Sequence, residues 1–127
     1  TMPTDSLAAF RDAMHETEAL GLDAVQAKQW ELGTKVRALL AEKGVKSVAA
    51  DGFAAPGVVV SYTDDPAIKS GAKFSARGLQ IAAGVPLKCD EPDDFQTFRV
   101  GLFGLDKLQD VERTLATFEQ VLNEVLA

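Results

Sequence analysis

The stretch Phe98-Arg99-Val100-Gly101-Leu102-Phe103-Gly104 (residues 98–104) is an apolar strand pattern broken by one cation and closed by glycines. Arginine on a mostly buried strand needs an anionic partner, because an unpaired buried charge is costly. The nearest acids in sequence, Asp94 and Asp106, both lie across turn-like segments. The pattern therefore raises the question of whether Arg99 meets a carboxylate brought by another molecule.

Outward from this stretch the periodicity alternates between helix and strand. Val58-Val59-Val60-Ser61-Tyr62-Thr63 is β-branched almost throughout and is the strongest strand signal. Val45 to Ala50 and Leu79 to Ala83 read as two further short strands, with a turn at Pro56-Gly57 between the first two. Asp65 followed by Pro66 starts a helix that Gly78 would stop. Gly84 to Asp94 holds two prolines and four acids and reads as a loop.

The flanks read as helices. Thr4 is the expected N-cap of the first, with Leu7, Phe10 and Met14 at helical spacing and Gly21 past its end. Asp23 and Gln26 resemble a capping box for the second. Its apolar stripe is Val25, Leu32, Val36, Leu39 and Leu40, closed by Gly44. A final helix, capped by Asp106, should bury Leu108, Val111, Leu115, Phe118, Leu122 and Val125. The order α-α-β-β-α-β-β-α defines an α+β fold: a small, mainly antiparallel sheet of three to four strands covered by helices on one side.

Composition narrows the function. A chain of 127 residues fits one domain, residues 1–127, with room for a real core. The net charge of −6, with no run of lysines or arginines, argues against binding nucleic acid through its phosphates. The single cysteine, Cys89, excludes an internal disulfide framework and fits a reducing, cytoplasmic setting. Its neighbours Asp90 and Glu91 disfavour a reactive thiolate. His15, the one histidine, sits among Glu16 and Glu18 on a helix and reads as a solvated surface residue. Asp90, Glu91, Asp93 and Asp94 lack calcium-loop spacing. Trp30 reads equally as core or as contact surface. No metal-ligand set, phosphate-binding glycine fingerprint or nucleophile–base pair is recognisable. The start at Thr1-Met2-Pro3-Thr4 hints at a piece of a longer chain.

Four stretches carry a family resemblance. These are Thr1 to Arg11, Glu18-Ala19-Leu20-Gly21-Leu22 with the following long helix, Ala55-Pro56-Gly57-Val58-Val59-Val60, and Phe98 to Gly104. Together they resemble the C-terminal small domain of a fold-type I, class V pyridoxal-phosphate-dependent aminotransferase, of the alanine–glyoxylate and serine–glyoxylate branch. Residues 98–104 match that family's "[FL]RIGLxG" element. The resemblance implies that Arg99 binds the substrate's α-carboxylate. It implies that Thr1 hydrogen-bonds the cofactor phosphate across a homodimer interface. It further implies amino transfer between an amino acid and a 2-oxo acid of glyoxylate or pyruvate type. The Schiff-base lysine of the family belongs to a large domain outside these residues, so the chain alone is expected to be inactive. A free-standing carboxylate-binding or interaction module remains the alternative.

Overall fold

In the computed structural model, which describes residues 1–127, the helix-then-sheet order holds with local changes. Helices α1 (Thr4–Leu20) and α2 (Leu22–Glu42) meet at Gly21, whose φ of 85° is open to glycine and strained for other residues. Then come β1 (Val58–Tyr62), short helices α3 (Pro66–Lys69) and α4 (Ala72–Ser75), and strands β2 (Ala82–Ala83) and β3 (Thr97–Gly101). A four-residue helix, α5 (Leu105–Leu108), precedes the terminal helix α6 (Val111–Leu126). The three strands form one antiparallel sheet in the order β1-β3-β2. The chain is thus α+β, as its periodicity implies.

Strand β3 is paired on both edges. Val60 faces Arg99 and Val59 faces Val100 across β1, and Ala82 faces Arg99 across β2. Side chains alternate between sheet faces. Val59, Phe98 and Val100 therefore point to one face, and Val60 and Arg99 to the other. The first face is buried under helices. Phe74 of α4 stacks on Phe118 of α6, centroids 6.4 Å apart, and lies 5.8 Å from Phe98. Leu32, Val36, Leu39 and Leu40 of α2 complete the core with Val111, Phe118, Leu122 and Val125 of α6. The apolar stripes read from α2 and α6 are thus buried; Val25 and Leu115 pack at the margin.

Five local expectations change. The strand expected over Leu79–Ala83 is only Ala82–Ala83, because only these two residues pair with β3. The expected strand over Val45–Ala50 is only a single bridge, Ser47 to Ser61. The Val48 N–H reaches Val60 O and the Tyr62 N–H reaches Lys46 O, after which the segment bends away from the edge of β1. The helix expected from Asp65 to Gly78 starts as read, since the Asp65 carboxylate accepts from Ala67 N and Ile68 N. It breaks at Gly71, φ 80°, which splits it into α3 and α4 and seats both Ile68 and Phe74 in the core. The terminal helix is capped by Asp110, not Asp106: its carboxylate accepts from Arg113 N at 3.0 Å, and residues 105–108 form the separate α5. At the first two helices the N-caps are Pro3 and Gly21, with no side-chain cap bond from Thr4 or Asp23. Helix α1 buries nothing, so Leu7, Phe10 and Met14 stand 49–65% exposed, and Trp30 of α2 is half exposed.

Two residues of α2 hold the sheet to the helical layer. Gln29 Nε2 donates to Pro56 O and Leu102 O, joining the start of β1 to the end of β3. Gly33 lets the backbone at Pro56 approach the helix: a Cβ there would lie 2.5 Å from Pro56 O. Helix propensity alone favours Gly33→Ala by about 1 kcal/mol. The collision with a backbone carbonyl should reverse that sign and destabilise the fold by about 1–3 kcal/mol. Urea unfolding of Gly33→Ala measures the difference, and a gain in stability would contradict the close approach.

Candidate functional site

Arg99 is fixed by the register that buries its neighbours. Phe98 and Val100 turn inward, so the Arg99 side chain leaves the sheet on the outer face, half-buried. Its Nε donates to Ala83 O of β2 at 2.9 Å, which leans the guanidinium over β2 and sets its plane. No carboxylate lies within ion-pair distance of it. Asp106, one of its two nearest acids in sequence, instead lies 3.5 Å from Lys107 Nζ. The two terminal nitrogens of Arg99 make no hydrogen bond to the protein, so their donors have no protein acceptor. A guanidinium edge offering two parallel N–H groups matches a carboxylate in geometry and charge.

The surroundings of Arg99 are set by two loop segments. Gly84 follows β2 so closely against Thr97 that a Cβ would overlap the Thr97 carbonyl, and Thr97 is buried. Tyr62, on the same face, meets Phe95 edge-on at 5.6 Å and carries Lys46 Nζ over its ring. The loop between Gly84 and Asp94 has its own latch. The Glu91 carboxylate accepts from the backbone N–H groups of Lys88 at 2.8 Å and Cys89 at 2.7 Å. These bonds hold Glu91 down to about 2, from an ordinary value of 4.5. Lys88 and Asp90 adopt φ near 60° to make this turn.

The other residues singled out in the sequence lie elsewhere. Thr1 is exposed ahead of α1, and no hydrogen bond or shared cavity links it to Arg99. His15 is exposed on α1, its Nδ1 3.9 Å from Glu18 Oε2. Cys89 is a free, exposed thiol in the Glu91-latched loop.

One arginine was missed. Arg37 of α2 donates to Ser47 Oγ, Ala55 O and Val58 O at 3.0–3.1 Å, tying the 45–57 segment to helix α2. Burial pushes its pKa down. The signal was legible: a cation inside the apolar run Val36 to Leu40 must carry its own hydrogen-bond partners. Lys35, beside it, bonds Glu112 of α6 and Glu31, and these acceptors raise its pKa. Asp65, whose carboxylate caps α3, also holds Lys73 at 2.6 Å; that ammonium and the Ala67 N–H lower its pKa.

No protein-family model matches the chain, and no curated protein matches it significantly. Among solved structures the chain is similar to an aspartate aminotransferase of subgroup IV from Thermus thermophilus. The match has a TM-score of 0.52 and 21% sequence identity and covers 76% of this chain. The fold is therefore aminotransferase-like. The match covers 26% of that enzyme's chain, so the likeness is to one part of it. No helix of the chain is long and apolar enough to cross a membrane.

The Glu91 latch has a measurable pH signature. A carboxyl whose folded pKa is depressed stabilises the fold above its unfolded value, and that contribution is lost as pH falls through the folded one. The Glu91 share should therefore be complete above pH 4.5 and fade toward pH 2. Carboxyl-carbon NMR of Glu91 should give a midpoint near 2, and in Glu91→Gln the amides of Lys88 and Cys89 should exchange faster at neutral pH. A Glu91 midpoint near 4.5 would mean that the latch is not formed.

Proposed function

We propose that this chain is the small domain, residues 1–127, of a pyridoxal-phosphate-dependent aminotransferase. The finer assignment is class V, of the alanine–glyoxylate and serine–glyoxylate branch, acting between an amino acid and a 2-oxo acid of glyoxylate or pyruvate type. The observation that carries the reading is Arg99, a strand arginine with no protein carboxylate and a free pair of terminal nitrogens, on an aminotransferase-like fold. Arg99 is the α-carboxylate clamp. Its Nε bond to Ala83 O fixes the guanidinium plane, and the two free nitrogens then fix the carboxylate bidentately. A carboxylate held at two points orients the substrate's Cα and its amino or keto group, which is the part of catalysis that positioning supplies.

The cofactor, when bound, supplies an electron sink for the substrate's Cα. We infer that its Schiff-base lysine is not among the residues of this chain. A Schiff-base lysine needs an amine made nucleophilic by desolvation or by a neighbouring cation. Lys35, Lys73 and Lys107 are instead engaged by carboxylates, and Lys46 lies over Tyr62. We place the lysine and the rest of the cofactor site in a large domain of the parent enzyme, with Thr1 reaching the phosphate across a homodimer interface in the cytoplasm. The isolated chain should give no Schiff-base absorbance with pyridoxal phosphate. The same null result is expected of a free-standing carboxylate-binding module, the alternative reading, which Arg99 alone would equally serve.

The two readings part in the whole enzyme. Arg99→Ala there should weaken the transition-state interaction with amino acid and oxo acid by about 2–5 kcal/mol, the cost of losing one half of a buried charge pair. Steady-state kcat/KM reads this loss. An unchanged kcat and KM would remove Arg99 from the site.

A further inference from the structure

The Ala83 carbonyl is the single protein acceptor of the Arg99 side chain, so whatever places that carbonyl aims the guanidinium. Strand β2 holds only Ala82 and Ala83, which face Arg99 and Phe98 of β3. So short a ladder returns less in hydrogen bonds than its ordering costs in backbone entropy. The strand therefore depends on its flanks. Before it, Ile81 packs on Gly71, where a Cβ would lie 3.2 Å from Ile81 Cγ1. After it, the Gly84 N–H donates to Lys69 O of α3 at 3.0 Å. At the same residue the chain runs hard against β3: a Cβ on Gly84 would overlap the carbonyl of Thr97, a buried residue. The Gly84 backbone lies outside the left-handed region, so no turn requires glycine there. The close approach of the two backbones does.

We propose that Gly84 is a positioning residue for Arg99: its missing side chain lets the chain close on Thr97, which brings the Ala83 carbonyl to the Arg99 Nε. The inference rests on the reading of Arg99 as a carboxylate clamp, because only a group that binds something needs an aim. A side chain at position 84 would push the backbone away from β3. The Ala83 carbonyl, one residue back, would go with it. Arg99 would then lose its one protein acceptor and regain the rotamer freedom of a long side chain. A carboxylate would have to immobilise it afresh, a cost that a preorganised guanidinium avoids.

The test follows the Arg99 Hε proton by NMR in the 127-residue chain. In the unmodified chain it should exchange slowly and show a coupling through the hydrogen bond to the Ala83 carbonyl carbon. In Gly84→Ala it should exchange about tenfold faster, the worth of one hydrogen bond, while the amides joining β1 to β3 keep their protection. Gly101→Ala is the control, because nothing lies within 4 Å of a Cβ there, and it should leave the Arg99 Hε unchanged. Titration with acetate should give an affinity that Arg99→Gln abolishes and Gly84→Ala weakens about fivefold, the cost of immobilising one long side chain. Unchanged Hε exchange in Gly84→Ala would overturn the positioning role, as would unchanged acetate affinity, and either result leaves the clamp standing. No Arg99-dependent binding of acetate to the unmodified chain would overturn the clamp and this inference with it. Should Gly84→Ala not fold, hydrogen exchange of the unmodified chain decides. The Gly84 amide and the Arg99 Hε should open together as denaturant is added. An Hε that opens while the Gly84 amide stays protected would overturn the proposal.

Discussion

The burial of Phe98 and Val100 against the Phe74–Phe118 stack decides where every other residue of β3 can point. Strand side chains alternate with period two, so a slip of one residue would exchange the faces. It would carry the Arg99 guanidinium into the core and Phe98 into water. Pairing on both edges makes such a slip doubly costly, because it would have to break the ladders to β1 and to β2 together. The position of Arg99 is thus held by hydrophobic packing on the opposite side of the sheet, and a change in that packing would move the arginine without touching it.

The chain uses two arginines in opposite ways. Arg37 distributes its N–H groups over a serine hydroxyl and two backbone carbonyls, and so converts a charge into a brace between α2 and the 45–57 segment. Arg99 commits only Nε, to Ala83 O. Neither meets a carboxylate. The donors of Arg37 are spent on the fold, and the terminal donors of Arg99 are not. This contrast separates the two residues physically, although both are cations set among apolar neighbours.

The helical stripes of α2 and α6 were legible because long amphipathic periods average over many residues. Val58 to Tyr62 was legible because its β-branched run has no competing helical pattern. The strand read at Val45–Ala50 shrank to a bridge because only Ser47 and its immediate neighbours meet the edge of β1 before the chain turns off to Arg37. Asp106 and Asp110 both have the chemistry of a cap. The choice between them depends on the non-helical backbone at Asp110, φ −141°, which separates α5 from α6 between the buried Leu108 and Val111. Arg99 was conspicuous as a cation in an apolar strand. An apolar groove lined by Phe53, Val60 and Leu87 was invisible in sequence, because these residues come from three separate segments joined only by the fold.

Helix α1 has the periodicity of a packed helix and buries none of its residues. At 17 residues it is close to the length at which an isolated helix is marginal in water. The core cluster begins in α2, beyond the Gly21 junction, and takes no side chain from α1. Loss of α1 helicity would therefore leave the sheet, the Phe74 stack and Arg99 in place. The chain has two tiers of cooperativity, with a first helix that can exchange its amides on its own and a remainder that must open as a unit.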